Sequence, residues 1–200
     1  SGTDVSQVVV NLEGVLGSGT GDAAADTVTF TGTDADNSIT ISGVGGNVVV
    51  AGLPWSATVS AADAMDRVVV NGGGGNDMIS AAGLGTVVGL TIGGGGNDLV
   101  TGGRGDDVMF LGTGSDRVIW NPGDGSDVIE GQGQTDTLEF NGTGVNENFA
   151  LSANGGRTRL TRDVGSVVMD MNDIEVLVVQ AGAGANRLVV GSMMGTDLVG

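Results

Sequence analysis

Between Gly72 and Glu139 the chain repeats itself in units of nine residues, and that period leaves few folds open to it. Residues 72–80 read GGGGNDMIS, 93–101 GGGGNDLVT and 102–110 GGRGDDVMF. The next three blocks are LGTGSDRVI (111–119), PGDGSDVIE (122–130) and GQGQTDTLE (131–139). Asp holds the sixth position of every block, and an aliphatic residue or Met holds the eighth. The first three fit G-G-x-G-x-D-x-U-x in full, where U is a large apolar residue. The fourth and fifth lack only the first Gly, and the sixth keeps Gly131, Asp136 and Leu138. A unit this short cannot bury an apolar face alone, so successive units must stack on one another.

The flanks carry the same half-motif without its glycines. Residues 61–69 (AADAMDRVV) keep Asp66 and Val68, and 21–29 (GDAAADTVT) keep Asp26 and Val28. In 32–40 Asn37 and Ile39 fill the slots, and in 181–189 Asn186 stands in the Asp position. Short β-branched runs recur throughout: Thr27–Phe30, Ser38–Ile41, Asn47–Val50, Arg67–Val70 and Arg117–Trp120, each bounded by turn residues. Helical periodicity is nearly absent. The chain therefore divides into degenerate solenoid rungs over 1–71, a glycine-rich block over 72–139 and a β-rich capping or continuing segment over 140–200. The three are expected to form one structural unit.

Composition removes whole classes of chemistry. His, Cys, Tyr and Lys are all absent, which excludes Ser-His-Asp and Cys-His catalysis, the usual zinc sites, haem or iron–sulfur ligation and disulfides. A net charge of -17 argues against a nucleic-acid or anionic membrane partner. No apolar run approaches the roughly 20 residues that span a bilayer, and the start carries no leader-like basic and apolar pair of regions. The 24 acids are 19 Asp and 5 Glu, a bias toward loops and oxygen-ligand sites. Forty glycines supply the backbone freedom such loops need.

In each nonapeptide a tight six-residue turn feeds a strand that points its U residue inward. Two nonapeptides complete a coil, so turns stack on two opposite edges. Asp98 and Asp116, eighteen residues apart, share an edge. Asp77 joins them if 81–92 form the intervening half-coil, and Asp136 extends the row past the insertion Trp120-Asn121. The other edge stacks Asp107 over Asp127, with a weak or empty slot beside Asp107 because 81–92 lack a carboxylate. Carboxylates and backbone carbonyls converging between stacked turns form the all-oxygen shell that Ca²⁺ prefers. The stacking predicts three to four ions.

The run Gly72–Glu139 resembles the RTX (repeats-in-toxin, hemolysin-type calcium-binding) repeats of secreted bacterial proteins. The resemblance implies a right-handed parallel β-roll or β-solenoid, all-β, with Ca²⁺ as its only cofactor. It further implies that one loop offers the carbonyls of positions two and four plus its Asp, and the facing loop positions one and three plus its Asp. Carried over by position, Gly73, Gly75 and Asp77 would meet Gly93, Gly95 and Asp98, and Gly94, Gly96 and Asp98 would meet Leu111, Thr113 and Asp116. Gly103, Gly105 and Asp107 would meet Pro122, Asp124 and Asp127. Gly112, Gly114 and Asp116 would meet Gly131, Gly133 and Asp136. The stretch 120–163 resembles the segment on the C-terminal side of such repeats in many family members, with Phe140, Phe149 and Leu160 expected to cover the last coil. Secretion through a type I channel and folding outside the cell are implied as well.

Other features have plainer readings. Without a following helix or a Lys, GGGGND is no phosphate loop; DADNSI (34–39) and the sequon Asn141-Gly142-Thr143 are turns. Arg157, Arg159 and Arg162 are spaced as an exposed strand face and its end, pairing with local acids, and Met169, Met171, Met193 and Met194 fill core or cap. Gly2-Thr3-Asp4-Val5 returns as Gly195-Thr196-Asp197-Leu198, which reads as matching cut points in a longer parent chain. The expected function is a non-enzymatic, extracellular, calcium-dependent structural module of an adhesin, surface-layer or toxin-like protein. The alternatives are a polysaccharide-binding accessory, which would use the Arg157–Arg162 strand, and a calcium-dependent lyase. A glycan or a second copy of the chain are the further candidate partners.

Overall fold

The computed structural model describes residues 5–85 and 89–198, and these are all-β with no α-helix. The strands are β1 (Gln7–Asn11), β2 (Thr27–Thr33), β3 (Ser38–Val44), β4 (Asn47–Ala51), β5 (Ser56–Ser60) and β6 (Arg67–Gly73). The central block adds β7 (Met78–Leu84), β8 (Gly89–Gly95), β9 (Leu99–Thr101), β10 (Val108–Thr113), β11 (Arg117–Trp120), β12 (Val128–Glu130) and β13 (Thr137–Asn141). Beyond it lie β14 (Asn148–Asn154), β15 (Arg157–Arg162), β16 (Val167–Asn172), β17 (Val176–Gln180) and β18 (Arg187–Val190).

They form two nine-stranded sheets, ordered β1-β5-β4-β3-β7-β9-β11-β13-β17 and β18-β14-β15-β16-β12-β10-β8-β6-β2. Through the repeats, successive strands alternate between the sheets, and every pairing there is parallel. This is the parallel roll that two nonapeptides per coil demand. β8 lies between β6 and β10, so 81–92 do supply the intervening half-coil, although residues 86–88 lie outside the described residues. Residues 2–4 of the first GTDV copy lie outside them too.

Register places like on like. One sheet aligns Ile39, Ile79, Val100, Val118, Leu138 and Leu177. The other aligns Phe30, Val70, Ile92, Met109, Ile129 and Met171. Apart from Leu177, which is part-buried, all of these are buried, and they include the eighth residue of every nonapeptide. Burying such a side chain contributes about 1.5–3 kcal/mol, so the column is the main apolar driving force.

Two departures from simple coiling occur in the flanks. β3-β4-β5 and β14-β15-β16 are antiparallel meanders set into the parallel sheets, the first where degenerate rungs were expected and the second within the segment expected to cap or continue the coil. The first turns on Gly45-Gly46, both with positive φ (61 and 80°), the backbone that a two-residue hairpin needs. The second turns on Gly155-Gly156 between Asn154 and Arg157. The aromatic cap also differs from expectation. Phe140 stacks on Trp120 (centroids 4.0 Å apart) and meets Phe149 edge-on at 6.1 Å, and Leu160 is fully buried. They lie inside the core, because the coil continues past them through β17 and β18. Met169 and Met171 are core, whereas Met194 is exposed.

Gly52, in the turn between β4 and β5, has φ +94°, and a Cβ there would stand 1.8 Å from the Ser38 carbonyl oxygen. Gly52→Ala is expected to cost about 2–4 kcal/mol. Gly144→Ala, which meets nothing within 4 Å, should stay within about 0.5 kcal/mol of the parent. Urea denaturation in calcium-containing buffer reads both.

Candidate metal centre

The turns that leave each sheet stack into a column of acidic residues joined by one repeated hydrogen bond. On the first edge the peptide N–H of Asn37 donates to Asp77 Oδ1 (2.8 Å), Asp77 to Asp98 (2.8 Å), and Asp98 to Asp116 (2.7 Å). Asp116 N–H then donates to Asp136 Oδ1 (2.8 Å), and Asp136 N–H to Glu175 Oε2 (2.7 Å). The second edge repeats the bond from Asp26 to Asp66 (2.9 Å) and from Asp107 to Asp127 (3.0 Å). The row on the first edge is therefore present as a continuous ladder, and the second edge carries two separate bonds of the same kind.

One carboxylate oxygen serves the ladder; the other accepts from Gly103 N–H in Asp107 (2.9 Å) and from Asp63 N–H in Asp66 (2.7 Å), but four residues leave it over. Oδ2 of Asp77, Asp116, Asp127 and Asp136 is buried without a hydrogen-bond partner. Buried polar groups normally find a partner, and a bare carboxylate oxygen costs more than a neutral one. These oxygens face glycine backbone. A Cβ on Gly72 would stand 2.0 Å from Asp77 Oδ2, one on Gly131 2.4 Å from Asp136 Oδ2, and one on Gly94 2.6 Å from Asp98 Oδ2. Any side chain would fill the space into which these oxygens point.

The model of the RTX calcium-binding nonapeptide repeat matches residues 67–83, 92–118 and 123–142, as four copies. The central coils are RTX calcium-binding nonapeptide repeats. No curated protein matches the chain in sequence.

The turns of the four loop pairs lie on adjacent coils, where carbonyls of positions two and four meet positions two, three and four of the facing turn. Gly73 and Gly75 carbonyls lie by Gly95 and Gly96, and those of Gly94 and Gly96 by Gly112 and Gly114. Thr113 O accepts from Gly96 N–H (2.6 Å). The Gly105 carbonyl sits against Gly125, one residue beyond Asp124, and the Gly112 carbonyl lies 3.5 Å from a Cβ on Gly133. Leu111 is buried in the core, so only its backbone is available. The Asp124 carboxylate closes its own turn by accepting from Asn121 N–H (2.7 Å). Beside Asp107, Gly103 packs against Leu84 and the Ala81 carbonyl, so apolar packing stands where a carboxylate is missing.

Several positioning residues are not apparent from the sequence alone. Fifth-position side chains make a second ladder: Asn76 Oδ1 accepts from Asn97 N–H (2.8 Å), Asn97 Oδ1 from Ser115 N–H (2.7 Å), and Asp106 Oδ1 from Ser126 N–H (2.9 Å). The recurring Asn before Asp in 72–80 and 93–101 is its only signal. Residues 142–150, GTGVNENFA, are a further degenerate block with Glu147 in the sixth position. The arginine strand differs from expectation. Arg157 pairs with Glu130 and Asp170 (2.7 Å each), only Arg159 of the three is exposed, and Arg162 is buried on Glu147 rather than displayed.

Burial raises Asp98, Asp116, Asp127 and Asp136. It pushes Asp127 up to about 8, with Asp107, Asp124 and Asp106 adding repulsion, against the lowering by the Asp107 N–H bond. Asp136 rises to about 7 and Asp116 to about 6 from the same cause, with the neighbouring ladder carboxylates adding to it. Without metal, the folded chain therefore holds protons that the unfolded chain releases near 3.8. The stability tied to those protons is fully present below about pH 4 and is lost as the pH rises through about 6, 7 and 8. Circular dichroism of the metal-free chain should show β-structure fading from about pH 4 to about pH 8. A metal-free signal that strengthens over that range would contradict the reading.

Proposed function

We propose that the chain is an extracellular structural module that calcium folds after the protein has left the cell through a type I channel. It would serve a larger adhesin, surface-layer or toxin-like bacterial protein. RTX repeats are structural calcium-binding repeats, and no helix among the described residues is long and apolar enough to cross a membrane. The observation that carries the reading is the set of buried, unpartnered carboxylate oxygens on Asp77, Asp116 and Asp136 of one edge and Asp127 of the other. A hard dication between stacked loops gives each of them a partner and cancels the repulsion along the row.

Three to four ions would sit between the loop pairs Asp77/Asp98, Asp98/Asp116, Asp107/Asp127 and Asp116/Asp136, with the glycine carbonyls completing each shell. Extracellular calcium of about 2 mM at a site of Kd near 0.1 mM adds about 1.8 kcal/mol. Four such sites add about 7 kcal/mol, comparable with the whole net stability of a domain. The polysaccharide reading has no such support, because Arg157 and Arg162 are engaged with carboxylates of the chain itself.

Sharing of carboxylates gives a graded test. Asp98 serves two loop pairs and Asp107 one. Equilibrium dialysis or native mass spectrometry should count three to four calcium ions on the chain. Asp98→Asn should lose two of them and Asp107→Asn one. Equal losses from both variants, or none, would rule out the shared-ligand column.

A further inference from the structure

The column of orphan oxygens stops short of both ends of the solenoid, and at each end a side-chain nitrogen lies where the interior loops leave space. Asn37 fills the sixth position of the block 32–40. Its Nδ2 lies 3.1 Å from Asp77 Oδ1, 3.4 Å from the Gly72 carbonyl and 3.4 Å from the Thr33 carbonyl, and it also donates to the Ala35 carbonyl. An amide nitrogen has two hydrogens, so four oxygens around it outnumber what it can bond. Thr33 and Ala35 are the second and fourth residues of their block, and Gly72 and Asp77 the first and sixth of the facing one. Those are the positions assigned to calcium between Asp77 and Asp98, moved one coil toward the N-terminus.

The same substitution recurs at the far end with a full positive charge. Glu147 holds the sixth position of 142–150, and Thr143 the second. Arg162 donates from Nε to Glu147 Oε1 (2.7 Å), from Nη2 to the same oxygen, and from Nη2 to Thr143 Oγ1 (3.4 Å). Both partners of this ion pair are buried, and the guanidinium lies over the Trp120 ring, 5.5 Å from its centre. Asn186, sixth in 181–189, turns its Nδ2 onto the carbonyls of Ala181 (2.9 Å), Gly182 and Ala183 (both 3.3 Å).

We infer that Asn37 on the first edge and Arg162 on the second stand in for calcium, the one toward the N-terminal and the other toward the C-terminal end of its row, so that these side chains fix where metal binding stops. The inference rests on the calcium reading above. It assigns the end coils a metal-independent closure: a side-chain nitrogen donor, rather than an ion, faces the loop oxygens there. It also makes Asn37 a residue that sets the number of ions bound.

The test converts the stand-in into a ligand. Asn37→Asp removes the two N–H donors and offers a carboxylate to the oxygens of Thr33, Ala35, Gly72 and Asp77. Native mass spectrometry of the full chain in calcium should then show one ion more than wild type. An unchanged count beside normal wild-type uptake overturns this inference and leaves the calcium reading intact, whereas a wild-type chain that takes up no calcium overturns both. Should Asn37→Asp fail to fold, Asn37→Ser decides. The loss of the amide should lower its melting temperature in saturating calcium without adding an ion. A melting temperature equal to wild type would show that the amide fills nothing.

Discussion

The structure depends on carboxylates held in file. Adjacent strands lie about 4.8 Å apart, and two unit charges at that distance repel by about 3–4 kcal/mol at an effective dielectric of 20. The first edge places Asp77, Asp98, Asp116 and Asp136 in consecutive coils, each in hydrogen-bonding register with the next. The ladder of N–H donors compensates one oxygen of each. The other oxygen has no protein partner in four of the column's residues, so the fold requires either protons or a cation in the gaps. The raised values of Asp116, Asp127 and Asp136 express the same demand from the side of the proton.

The remaining features serve that file. Glycine is needed where a Cβ would enter the gap, as at Gly72 and Gly131, or would strike the backbone of the next coil, as at Gly114 against the Gly96 carbonyl (1.8 Å). The aligned columns of Ile, Val, Leu and Met keep the coils in register, so that each Asp meets the next at one fixed offset. Apolar burial and charge burial are thus coupled. The sheets cannot close without stacking the acids, and the acids cannot remain stacked without neutralisation.

Legibility in the sequence tracks the strength of the repeat. The sixth- and eighth-position spacing suffices to place Asp77, Asp98, Asp116 and Asp136 on one edge, Asp107 and Asp127 on the other, and Ile79 through Leu138 in the core. Outside the repeat, tertiary pairing decides what local pattern leaves open. The meander β3-β4-β5 shows only as Gly45-Gly46 between two alternating runs, a hairpin signal that solenoid rungs mask. Arg162 falls on the inward face of β15 with Thr158 and Leu160, where its charge argues against burial until its meeting with Glu147, fifteen residues earlier, is seen. Phe140, Phe149 and Leu160 are recognisable as core-forming, and the half-motif of 181–189, with Asn186 in the Asp slot, marks a further coil beyond them. The Asn37 cage depends on contacts to a block thirty-five to forty residues away, which no local window contains.

The central claim is that the carboxylate file requires a dication at neutral pH. It is tested most directly by far-UV circular dichroism of the chelated chain during calcium titration, with magnesium as control. The account predicts a cooperative change from coil to β-structure with calcium alone, near 0.1–1 mM as an order of magnitude. A chain already β-rich in chelator at neutral pH and unmoved by calcium would contradict it, because the stacked acids would then be held by the flanking coils without help.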